Sequence, residues 1–151
     1  MHIKLELMLQ AITPISVIAL IYTVRNYHRQ MNAQVFMNYT ERYERILSEF
    51  PDDARDARFN VKVLPSPSPR LRLCVLKYLN LCSEEFYLMR NGYLDKTLWR
   101  IWEGDLTRMI GTPLLEREWQ SLRPEFESHQ EFLRYVDAIQ SDCQRSKAAH
   151  A

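Results

Sequence analysis

The sequence predicts an all-α protein: an N-terminal transmembrane helix continuing into a cytoplasmic helix, then a small bundle of four short helices. Three observations carry this expectation. Glycine is scarce, with only Gly92, Gly104 and Gly111, whereas sandwiches, barrels and phosphate-binding α/β folds need glycine at turns and at close backbone approaches. Residues 7–24 contain no charged side chain. Beyond them, apolar residues recur at spacings of three and four, the period of one helix face.

The first element, residues 1–24, reads as a membrane anchor. At a helical rise of 1.5 Å, its uncharged run of about 18 positions covers about 27 Å, close to the thickness of a bilayer's hydrocarbon core. Gln10, Thr13, Pro14 and Ser16 temper its first half, and the stretch from Val17 to Tyr22 is the more apolar. Pro14 is tolerable there because nearby Thr and Ser can satisfy freed backbone groups. Two other readings compete. A cleaved signal peptide would need a small-residue cleavage site, and none follows. A core helix of a soluble protein would have to bury a segment apolar nearly all round inside a small domain. Lys4 precedes the run, and Arg25, Arg29, Arg42 and Arg45 follow it. That bias predicts a single-pass protein of the cell's inner membrane with its C-terminal domain in the cytoplasm. Tyr22 and Tyr27 suit the interface.

Residues 25–50 read as a juxtamembrane helix. Val24, Tyr27, Met31, Val35, Tyr39, Tyr43, Ile46 and Phe50 form one stripe, opposite Arg29, Asn32, Gln34, Glu41, Arg45 and Ser48. A stripe on a polar rod needs a cover: the protein's own bundle, or a second copy in a parallel seam. Pro51-Asp52-Asp53 stops the helix. Residues 51–69 then form a linker, whose alternating prolines at 65, 67 and 69 exclude helix and make a semi-rigid spacer.

The helical domain is expected over residues 70–142. Its first helix runs from about Arg70 to Asn91, with Gly92 as the residue past its end. Asp95 caps a second helix to about Ile110, ended by Gly111. Thr112 caps a third, with Pro113 at its first position. Pro124 opens a fourth, ending near Asp142, and residues 143–151 are expected to fray as a flexible tail.

Net charge is +1, from 20 basic and 19 acidic residues. No global field favours nucleic acid, and none is expected as a partner. Cys74, Cys82 and Cys143 make an odd count without metal or redox spacing. Phosphate-loop, dinucleotide, zinc-protease and nucleophile-elbow motifs are missing. The sequence thus implies no metal and no cofactor, and weighs against an enzyme without closing the question.

Three residues stand out as binding candidates. On the helix from residue 70, Glu85 projects near the apolar line of Leu71, Val75, Tyr78 and Cys82, while Glu84 lies with Lys77 and Asn80 on the polar side. A buried carboxyl must find donors or keep its proton. His129 falls on the stripe of Phe126, Leu133 and Val136, so Glu85 and His129 could meet as a structural polar pair or as a ligand-gripping or acid–base site. Trp99 sits to the side of its helix, as core or as a partner-facing groove wall. Arg70 and Arg72 make a small basic cluster at a helix start, where a solvated end competes with a phosphate contact.

The segments Tyr78-Leu79-Asn80-Leu81-Cys82-Ser83-Glu84-Glu85 and Asn91-Gly92-Tyr93-Leu94-Asp95, followed by a helix rich in aromatics, resemble a bacterial domain-of-unknown-function family of small membrane-anchored helical proteins. The resemblance covers about residues 70–137. It implies an N-terminal hydrophobic segment and a helical domain, and transfers no activity and no catalytic residue. Together these readings predict a membrane-tethered helical interaction module, with the membrane and either a homo-oligomer or a protein as partner. The alternatives are a small ligand-binding or enzymatic domain around Glu85 and His129, and a soluble helical protein.

Overall fold

The computed structural model describes the backbone over residues 2–57 and 64–149, and side chains over 16–56 and 64–149. Among these residues every regular element is a helix: α1 (His2–Glu49), α2 (Asp52–Ala57), α3 (Pro69–Arg90), α4 (Lys96–Ile110), α5 (Pro113–Leu122), a one-turn 3-10 helix (Arg123–Phe126) and α6 (Gln130–Ala149). The chain divides into two compact units, Met1–Asn38 and Tyr39–Ala151. The last turns of α1 therefore belong with the helices that the sequence assigns to a separate domain beginning at residue 70.

The first unit is continuous α1 helix, passing through Pro14 without a break. Among its described apolar side chains, Val17, Ile18, Leu20, Ile21, Tyr22 and Val24 are each between 45 and 68% exposed. Thr23 Oγ1 donates back to the Ala19 carbonyl at 2.8 Å, which satisfies its hydroxyl within the helix. Among the described residues no helix is long and apolar enough to cross a membrane. The side chains of residues 7–15, half of the run expected to span, lie outside the described ones.

In the second unit, α3 is the central element and packs against α4, α5 and α6. It buries Leu71, Cys74, Val75, Tyr78, Leu79, Leu81, Cys82 and Phe86. Leu106, Met109 and Ile110 of α4, Leu115 and Trp119 of α5, and Phe132, Leu133 and Val136 of α6 complete the core. Amphipathic helices this short hold their shape by burying one face in this way.

The ends of these helices follow local chemistry. Ser68 Oγ accepts from the Leu71 amide at 3.1 Å, with Pro69 at the first helical position. At the other end of α3, the Gly92 amide bonds to the Met89 carbonyl and the Tyr93 amide to the Leu88 carbonyl. This is a Schellman closure, and it needs the left-handed backbone (φ 73°) that Gly92 supplies. Asp95 caps α4 by accepting from the Thr97 amide at 2.7 Å. Thr112 caps α5 by accepting from the Leu115 amide at 3.3 Å.

Several boundaries differ from expectation. Asp52–Ala57 is helical inside the expected linker, because two aspartates at its start suit a helix N-terminus. Residues 58–63 of that linker lie outside the described ones. Its Pro/Ser end is docked: Pro65 is buried, and its carbonyl accepts from Arg117 Nη1 at 2.7 Å. Pro124 opens only the 3-10 turn, and α6 begins six residues later at Gln130. The expected tail is helical to Ala149, held in part by Gln144 and Lys147 reaching Glu116 on α5.

Candidate functional site

The most unusual polar feature lies where residues 39–49 of α1 meet α3 and α4. Arg42 grips both oxygens of Glu84, at 2.6 Å from Nη1 and 3.0 Å from Nη2, and the Tyr39 hydroxyl donates to the same carboxylate at 3.3 Å. The Arg42 guanidinium also stands 5.0 Å from the centroid of the Tyr39 ring. Beside them, the Tyr39 ring meets Trp102 of α4 at 5.4 Å and the Tyr43 ring meets Tyr78 of α3 at 6.2 Å. The hydrogen bond from Arg42 holds the Glu84 carboxyl below its usual range.

One residue further along α3, Glu85 is buried, as its helical position predicts. Its carboxyl receives no hydrogen bond among the described residues. Burial pushes its pKa up to about 8, Arg42 pulls it down, and Glu84 and Asp105 add to the rise. Tyr78 and Cys82 on the same face are driven well above their ordinary values, chiefly by burial. This group is therefore an acid that keeps its proton at neutral pH, among neutral phenol and thiol neighbours. Cys82, held protonated, is a poor nucleophile. No cluster able to hold a metal occurs among the described residues.

His129 does not join Glu85. It is exposed immediately before α6, with Nδ1 3.0 Å from Ser128 Oγ. It lines an open groove of about 560 Å³ with Ser83, Phe86, Tyr87 and Arg90. On α3 those four residues point about 100–160° away from Glu85, at 100° per residue. A smaller groove places His129 with Tyr39, Ser83 and Glu84, so the acidic neighbour across it is the solvated carboxylate. The expected core position fails because α6 starts at Gln130: His129 precedes the helix, and the 3.6-residue pattern linking it to Leu133 and Val136 does not apply there.

Trp99 is not a groove wall. It is 6% exposed, with its ring 6.1 Å from Phe86 and 6.2 Å from Tyr135. The Tyr135 hydroxyl donates to Glu103 at 3.0 Å. Burial and that bond raise the Tyr135 pKa. Arg70 is committed to the C-terminal end of α1, donating to the Glu49 carbonyl at 3.2 Å.

Sequence reading missed Arg42, Tyr39 and Asp105 as surroundings of the Glu84–Glu85 pair. Tyr39 lies on the α1 stripe and Arg42 beside it, but nothing in the spacing says which helix receives them. Among known proteins the chain has no significant match to any family model, curated protein or solved structure, so the resemblance rests on the residues that carry it.

Proposed function

We propose that the protein is a membrane-tethered helical interaction module, anchored by residues 7–24 with its domain on the cytoplasmic side of the inner membrane. The observation that carries this reading is the exposure of Val17, Ile18, Leu20, Ile21, Tyr22 and Val24 around the helix. At roughly 25 cal/mol per Å² of apolar surface, so many exposed side chains favour transfer out of water strongly. The uncharged run before them extends the apolar length toward a bilayer's thickness. The excess of arginine after residue 24 supports the orientation.

An interaction role is supported by large exposed side chains on the second unit, Tyr87, Tyr93 and Ile101, each more than half exposed. The partner is a second copy or another protein at the membrane.

Carbonate washing of membranes from cells making the full chain tests the anchor. The protein should stay in the pellet, and should move to the supernatant when Ile18 and Ile21 are both replaced by Lys. Release of the unaltered chain by the wash overturns the reading.

A further inference from the structure

We propose that Glu85 is a proton-controlled clasp: while its carboxyl is neutral, residues 39–49 stay seated on α3 and α4, and when it ionises that segment opens while α3–α6 remain folded. The inference stands on the second unit alone and holds whether or not the N-terminal run enters lipid.

The first support is the nature of the seat. Between residues 39 and 49 no residue of α1 is buried, whereas ten residues of α3 are. The segment is held by long side chains: Arg42 and Tyr39 on Glu84, the Tyr39–Trp102 and Tyr43–Tyr78 ring contacts, and Lys77 on Glu49. Elements with little buried surface are those that open without global unfolding.

The second support is what ionisation does there. A buried charge without a partner must be hydrated or relieved. Among the described residues, Arg42 on α1 is the only cation among the charges that influence Glu85, and both of its terminal nitrogens are already on Glu84. From α3, Glu84 repels the new charge, and Tyr78 and Cys82 are neutral. From α4, Asp105 repels it. On α1, Tyr39 also lies within its influence and is itself held neutral by burial. On α6, Tyr135 lies toward Cys82, and just before that helix His129 faces Glu84 across the smaller groove. Lifting α1 admits water to the carboxylate and leaves the α3–α6 core closed. Burial raises the cost of ionisation in the seated state, so opening becomes steadily more favourable as pH rises toward about 8.

Amide hydrogen exchange of the purified full-length protein between pH 6 and 9, corrected for the intrinsic pH dependence, tests the clasp. Protection of residues 40–49 should fall at least tenfold over this range, while that of α5 and α6 holds. Glu85→Gln should abolish the fall. Asp105→Lys, a change at an exposed side chain, replaces a repelling charge with a partner for the ionised carboxylate, so it should shrink the fall, and it serves if Glu85→Gln does not fold. The clasp is overturned by equal loss of protection in α5 and α6, by a fall that persists in Glu85→Gln, by an undiminished fall in Asp105→Lys, or by no fall at all.

Discussion

Arg42 and Glu84 form a two-pronged pair, at 2.6 and 3.0 Å, between the last turns of α1 and the middle of α3. Both side chains are more than a third exposed, so solvent screens the charges and geometry supplies most of the gain. A double-mutant cycle with Arg42→Ala and Glu84→Ala should return a coupling of about 0.5–1 kcal/mol. Urea denaturation measures it, and the coupling should shrink in high salt. A coupling indistinguishable from zero at low salt would mean that this pair does not help seat α1.

Glu85 gives stability a definite pH dependence. Its folded pKa, about 8, lies above the ordinary value of 4.5. Below 4.5 both folded and unfolded chains hold the proton, and stability is full. Between 4.5 and about 8 the unfolded chain releases it and the folded chain does not, so stability falls as pH rises. Glu85→Gln keeps the shape and removes the titration. The variant should match the parent near pH 4.5 and exceed it at pH 9 by up to roughly 4 kcal/mol. Chemical denaturation across that range checks the sign: a variant less stable than the parent at pH 9 contradicts it.

The helical class, the caps at Asp95 and Thr112 and the closure at Gly92 were legible because each is written within a few residues. The burial of Glu85 was legible for the same reason, since it follows from the phase of α3 alone. The position of His129 was not. It depends on where α6 begins, and the 3-10 turn at Pro124 delays that start in a way periodicity does not reveal. The choice between core and groove wall for Trp99 was not legible, because its neighbours Phe86 and Tyr135 come from other helices. The docking of Pro65 depends on Arg117, 52 positions later in the chain, a pairing that no local pattern encodes.

That long-range pairing yields a further prediction. Glu118 is 3% exposed. Arg117 Nε donates to it at 2.9 Å while Nη1 of the same guanidinium holds the Pro65 carbonyl. Arg72 stands by at 3.8 Å. Arg117→Ala strips a buried carboxylate of its close partner and leaves the carbonyl without its donor, so it should cost about 2–4 kcal/mol. Arg117→Ala with Glu118→Gln should recover part of that loss, because the second change removes the uncompensated charge. Thermal denaturation of the two variants checks the order. A single variant as stable as the parent would show that Arg72 alone neutralises Glu118.

Two glycines should respond to alanine for different reasons. At Gly92 a methyl group would meet nothing within 4 Å, but the backbone φ is 73°, where an L side chain meets the neighbouring carbonyl. Gly92→Ala should therefore cost about 1 kcal/mol through the backbone alone, and no neighbouring substitution should relieve it. Gly111 has an ordinary φ of −74°, but a Cβ there would stand 3.0 Å from Cys143 Sγ on α6. Gly111→Ala should also cost about 1 kcal/mol, here by overpacking. Replacing Cys143 with Ala in the same chain removes the obstructing sulfur and should return that loss. Thermal denaturation of the single and double variants reads both effects. If Cys143→Ala rescues both glycine variants equally, or neither, the contact between α4 and α6 is not what keeps residue 111 small.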